Sequence, residues 1–139
     1  MPRAEAVRDA MPRDTIASTD VGSHKLLVGQ GWTSYLPRTL LMTNGLSSMG
    51  YSLPAAIAAK IVHPGRPVVC FIGDGGLAMV QGELRLAASL KLDPLVVVFC
   101  ADSLNRIEIK QANRSYPSWG TLIEPTDTEL LARSMGCEG

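Results

Sequence analysis

The chain has 139 residues, 46% hydrophobic and 19% charged, which suits one domain with a sizeable core. Thirteen Lys and Arg balance thirteen Asp and Glu, and aromatics make up 5%, so the chain has neither the basic stripe nor the stacking surface of a nucleic-acid binder. The polar start MPRAEAVRDAMPRD is unlike a secretory signal, and no apolar run approaches the roughly 18 residues of a membrane helix. The three cysteines, Cys70, Cys100 and Cys137, are odd in number and form no CxxC pair, so they read as reduced thiols of a cytoplasmic protein.

Residues 2–10 read as a short helix with Ala4, Val7 and Ala10 on one face, closed by Pro12. A short buried strand is expected over Ile16–Ser18, a helix over Ser23–Gly29 and a strand over Thr39–Thr43, after which Asn44-Gly45 turns the chain. Tyr51–Ile61 has the small residues Ala55, Ala56, Ala58 and Ala59, as expected of a helix packed closely on a sheet, with Pro54 tolerable in its first turn. Val68–Ile72 and Leu95–Phe99 are apolar, β-branched runs of the kind buried on both faces of a parallel sheet. Helical periodicity over Val80–Leu90 (Val80, Leu84, Ala87, Ala88) joins them into a βαβ unit. Leu104–Gln111 reads as a further helix. Thr126-Asp127-Thr128-Glu129 has the form of a capping box for a last one, closed by Gly136. The expected fold is α/β, an open and mainly parallel sheet with helices on both faces. The βα rhythm predicts a strand after Gly136, so residues 1–139 are expected to form one domain that is C-terminally incomplete.

The most informative segment is Val68-Val69-Cys70-Phe71-Ile72-Gly73-Asp74-Gly75-Gly76. A buried strand ends in Gly-Asp-Gly-Gly before a helix, and parallel sheets bind ligands outside their C-terminal strand ends. Glycines there let backbone N–H groups face a phosphate, and a carboxylate is a hard oxygen ligand suited to Mg²⁺. Taken alone, the four residues are more simply a tight turn with a solvated Asp.

With its surroundings, the segment resembles the diphosphate-binding domain of thiamine-diphosphate enzymes, in particular the acetolactate synthase and 2-oxoacid decarboxylase group. Gly82-Glu83-Leu84 stands where that family has Gln-Glu-Leu. Asn44-Gly45-Leu46-Ser47-Ser48-Met49-Gly50-Tyr51-Ser52-Leu53-Pro54-Ala55-Ala56 is similar to its GGLGTMGFGLPAA, and Asp20-Val21-Gly22-Ser23-His24 to its EVGQH. The resemblance implies thiamine diphosphate and Mg²⁺ as cofactors. It implies diphosphate contacts from Gly22, Ser23, His24 and the Gly73, Gly75 and Gly76 backbone, with Asp74 on the metal. The Ser47 carbonyl and the Met49 N–H would meet the aminopyrimidine, and the Met49 side chain would hold the cofactor bent. Ordinary core filling by Met49, a helix-surface His24 and a solvated Glu83 are the plain alternatives.

The chain departs from the family pattern at one metal ligand. Where the family spacing from Asp74 calls for an Asn, this chain has Ala101, between Cys100 and Asp102. A methyl group cannot coordinate Mg²⁺, so either water fills the place, or Asp102 does, or the metal function is lost. The remaining ligand implied by the family is the backbone carbonyl of Ser103. The family's activating glutamate comes from a pyrimidine-binding domain that these residues do not contain, so no catalytic residue is assigned in this chain.

The leading expectation is therefore one half of the active site of an acetolactate synthase-like or 2-oxoacid decarboxylase enzyme. It would act on a 2-oxoacid as a homo- or hetero-oligomer and be inactive alone. A degenerate, non-catalytic cofactor-binding module and a small subunit of a split decarboxylase are the alternatives. A nicotinamide-binding domain is disfavoured by the lack of GxGxxG between a strand and a helix.

Overall fold

The structure, a computed structural model, describes residues 4–139. Among them four strands, β1 (Ile16–Thr19), β2 (Leu40–Met42), β3 (Val68–Gly73) and β4 (Leu95–Phe99), form one sheet in the order β2-β1-β3-β4. Every pairing is parallel, with Thr19 opposite both Met42 and Phe71, and Gly73 opposite Phe99. The expected parallel pairing of Val68–Ile72 with Leu95–Phe99 is present. From β1 the chain steps outward to β2, then crosses back to β3 on the other side of β1. That reversal places a crevice at the C-terminal ends of β1 and β3.

The helices of the described residues are α1 (Ala4–Ala10), α2 (Ser23–Gly31), α3 (Ser52–Val62), α4 (Asp74–Val80), α5 (Gly82–Ser89), α6 (Asn105–Asn113) and α7 (Thr128–Ser134). Of the helix expected over residues 2–10, the first two positions lie outside the described residues. β3 is the centre of the sheet, with Val68, Val69, Cys70, Phe71 and Ile72 all buried. One face of the sheet packs Cys70 and Ile72 against Leu53, Ala56 and Ile57 of α3 and Leu84 and Ala87 of α5. The other packs Val69 and Phe71 against Ala4 of α1 and against Val28 and Trp32, in and just after α2. Each large side chain fully buried in this way contributes about 1.5–3 kcal/mol.

Three local expectations are corrected. The helix expected over Val80–Leu90 is present as α5, shortened to Gly82–Ser89, but a separate unexpected helix, α4, precedes it and begins at Asp74 itself. Gly75 and Gly76 are poor helix formers, but a carboxylate at the first position suits the helix N-terminus, and tertiary bonds to Asp74 hold that turn. Second, the cap of α7 is Asp127, whose Oδ1 accepts from the Leu130 N–H at 2.9 Å. Thr126 is not the cap, and Glu129 pairs with Arg133 instead of closing a capping box. Third, Leu95–Phe99 is an edge strand among the described residues, with Leu95 exposed and the rest half-buried. Val96 and Val98 pack on one face of the sheet and Val97 and Phe99 on the other, but none of them is fully enclosed.

Candidate functional site

Three strand-to-helix junctions meet at the crevice: Asp20–Gly22 between β1 and α2, the direct passage from Gly73 to Asp74 between β3 and α4, and Cys100–Leu104 between β4 and α6. The loop after β2 brings Met49 to the same place. Together they line a cleft of about 380 Å³ whose walls include Gly22, Ser23, His24, Met49, Gly73, Asp74, Gly75, Gly76, Ala101 and Ser103. Segments as distant in the chain as Gly22 and Ser103 thus share one surface. Of the site residues expected from sequence, Ser47 and Asp102 do not line this cleft. Ser47 sits in the loop after β2 with its hydroxyl 3.4 Å from Lys25 Nζ, and Asp102 lines a smaller neighbouring cavity with Glu124 and Thr126.

The carboxylate of Asp74 organises the floor. Its Oδ1 accepts from the Gly75 N–H at 2.8 Å, and its Oδ2 accepts from the Ala101 and Asp102 N–H groups, each at 2.8 Å. Asp102 has φ of 53°, a left-handed conformation that Asp tolerates. It lets two successive N–H groups converge on one oxygen, forming an anion-binding nest. The loop is braced from behind, because Leu104 N–H donates to Thr121 O and Ile123 N–H to Asp102 O. The Ser103 carbonyl takes no part in those bonds. Cys100 is exposed beside Asp74. Partial burial, and then the charges of Asp74 and Asp102, push its thiol up, so it stays protonated near neutral pH.

The upper wall is built on His24. Its Nε2 lies 2.9 Å from Asp20 Oδ1, and its ring stacks on Phe99 at 5.6 Å between centroids. The Nδ1–Cε1 edge lies so close to Gly22 that a Cβ there would be 2.5 Å away, and Gly22 has φ of 154°, which disfavours any side chain. Ser23 Oγ donates to Asn105 Oδ1 at 2.8 Å, tying the starts of α2 and α6 together. Sequence reasoning gave no role to Asp20, Phe99, Asn105 or Arg106, the last being the one Lys or Arg among the described residues that line the cleft. Asp20 stood in a segment already singled out, and an acid at a strand end was a usable signal. The contacts of Phe99 and Asn105 depend on three-dimensional pairing that no local pattern displays.

Residues 20–139 match the family model described as thiamine pyrophosphate enzyme, C-terminal TPP binding domain. The chain belongs to this family. It is 36% identical over 107 residues to the acetolactate synthase isozyme 1 large subunit of Escherichia coli, covering 77% of this chain and 19% of that protein. Its identity to the acetolactate synthase of Bacillus subtilis is 30% over 155 aligned positions, covering 96% of this chain and 27% of that protein. To the probable 2-ketoarginine decarboxylase AruI of Pseudomonas aeruginosa it is 33% identical over 134, covering 96% and 24%. The chain thus spans about a quarter or less of the length of these relatives, the Bacillus protein lying just above that share.

The cofactor of this family is thiamine diphosphate, and the donors in the cleft suit its polar end. Backbone at Gly22, Gly73, Gly75 and Gly76 presents no side chain, so an anion can approach the main chain closely. A Cβ at Gly75 would lie 3.0 Å from Ile123 and 3.1 Å from the Met49 methyl, which shows how tightly that cradle is drawn. A carboxylate offers about four lone-pair sites. Three N–H groups take three at Asp74, which leaves one on Oδ1 for a cation. Among the described residues no cluster of three or more His, Cys, Asp or Glu side chains stands ready for a metal. A cation here would draw its other oxygens from main chain, diphosphate and water, an arrangement that suits Mg²⁺. Among the described residues no helix is long and apolar enough to cross a membrane.

Proposed function

We propose that this chain holds the diphosphate and Mg²⁺ of thiamine diphosphate as one half of the active site of an acetolactate synthase-like or 2-oxoacid decarboxylase enzyme. The observation that carries the reading is the Asp74 floor: a carboxylate at the C-terminal end of β3, fixed by three N–H groups and facing a glycine-lined cleft. Asp74 Oδ1 and the Ser103 carbonyl would hold Mg²⁺, with water where Ala101 has no oxygen. Asp102 is the weaker candidate for that place, because its side chain borders the neighbouring cavity. The backbone at Gly22, Gly73, Gly75 and Gly76, with Ser23 and His24, would hold the diphosphate. Met49, half-buried and packed on Gly75, would support the cofactor from below, and the Ser47 carbonyl would meet its aminopyrimidine.

When bound, the thiazolium supplies the electron sink for cleaving the bond beside a 2-oxoacid carbonyl. The residues of this chain bind and orient that ring and exclude water from one side of it. The glutamate that activates the cofactor would come from a pyrimidine-binding domain or subunit, in a homo- or hetero-oligomer. Leu27, Leu46 and Ile107, apolar and exposed near the cleft and on the Met49 loop, support a covering partner there. Calorimetric titration of the chain with thiamine diphosphate tests the reading. Binding with Mg²⁺ that disappears on chelation is expected, and no binding in either condition would refute it.

A further inference from the structure

The buried carboxylate of Asp20 is not explained by binding alone. Its side chain is fully enclosed, yet Asp20 lies just beyond β1 and its two oxygens reach in different directions. Oδ1 meets His24 Nε2 at 2.9 Å, on the wall built by α2. Oδ2 accepts from the Gly50 N–H at 2.7 Å, far along the chain and next to Met49. Gly76 fits against the same oxygen, where a Cβ would stand 2.9 Å away. Gly50 itself has φ of 76°, and a Cβ there would lie 2.9 Å from Val80, so the backbone reaches Asp20 only because it carries no side chain. Removing water from a carboxylate is costly unless its oxygens find partners, and here each oxygen has one, from a different wall of the cleft.

From this geometry we infer that Asp20 is a positioning residue that clasps the His24 wall to the Met49 loop, setting the spacing between the diphosphate end and the ring end of the cleft. The inference rests on the diphosphate reading proposed above. Asp20 touches no ligand in this account and acts through two neighbours. Because a carboxylate can only accept, it also requires His24 to carry a proton on Nε2, which leaves the Nδ1 edge beside Gly22 and Gly73. The Phe99 ring stacked on the imidazole prevents it from swinging out of the clasp.

Two substitutions separate the two bonds. Asp20→Ala removes both. Asp20→Asn keeps an acceptor for Gly50 but offers an N–H₂ to His24, so Nε2 must become an acceptor and the proton must move to Nδ1. The probes are thiamine diphosphate and inorganic pyrophosphate, each titrated with Mg²⁺ into the full chain. Asp20→Ala should lose at least about tenfold more affinity for thiamine diphosphate than for pyrophosphate, the scale of a lost hydrogen bond to a charged group. Asp20→Asn should weaken both probes by similar factors. Equal losses in Asp20→Ala, or no loss, would overturn the clasp. The second measurement is the imidazole ¹⁵N spectrum without ligand: the parent should show Nε2 protonated and Asp20→Asn should show Nδ1 protonated. An unchanged pattern overturns the inference even if Asp20→Ala does not fold. A parent chain that bound neither probe would refute the diphosphate reading alone, since the ligand-free spectrum would still decide whether Asp20 governs His24.

Discussion

At the scale of single residues, Ala101 is where this chain differs most pointedly from its family pattern, and the structure gives it a second role. Its N–H donates to Asp74, a bond that any non-proline residue can make. Ala101→Asn should therefore keep the floor intact and add an oxygen beside the metal place. Mg²⁺-dependent affinity for thiamine diphosphate should rise by on the order of 1–2 kcal/mol, as for one added bond to a charged group, measured by titration calorimetry. On the proposed reading, with water rather than Asp102 in that place, Asp102→Ala should leave the affinity unchanged; a marked loss would assign the ligand to Asp102. The placement of Asp74 and its glycines at the end of a buried strand, on the cleft wall, was legible in the sequence because a short motif carries its own signal. The reach of Asp20 to Gly50 was not, because a hydrogen bond between such distant positions follows from the strand order.

At the scale of elements, periodicity located the strands and most helices, and it erred where side chains overrule propensity. The start of α4 at Asp74 is held by tertiary bonds to the loop after β4, so glycine-rich sequence reads locally as a turn. In α7 the capping-box pattern pointed to Thr126, whereas the cap is Asp127, one residue later. Asp127→Ala should lower stability by about 1 kcal/mol, the usual cost of a lost N-cap, read as a drop in Tm. A second tie links α3 to the turn before β4. Lys60 Nζ lies 2.8 Å from Asp93, and hydrogen bonding from Lys60 holds the Asp93 carboxyl below its ordinary range. With the folded pKa below the unfolded one, this contribution is present above the unfolded value and lost as pH falls through the folded one. Asp93 is largely exposed, so solvent limits the effect to under about 1 kcal/mol. The Tm gap between the parent and Asp93→Asn should shrink as pH falls from neutrality through the carboxylate range.

At the scale of the whole molecule, the order β2-β1-β3-β4 turns scattered motifs into one surface. Parallel strands send every strand-to-helix junction to the same end of the sheet, and the reversal at β1 opens a crevice there. The α/β class was legible from the βαβ rhythm, whereas the strand order needs packing choices on both faces that apolar runs do not encode. With the activating glutamate expected from another domain, the purified chain should bind cofactor without consuming pyruvate. Sustained turnover with thiamine diphosphate and Mg²⁺ would contradict that division of labour. The central claim is that Asp74 anchors the metal–diphosphate pair. Its most direct test is the Mg²⁺ dependence of thiamine diphosphate affinity in Asp74→Asn, an isosteric change that removes the charge. The account predicts that Mg²⁺-dependent binding disappears while the folded state persists by circular dichroism, and unchanged Mg²⁺-dependent affinity in the folded variant would contradict it.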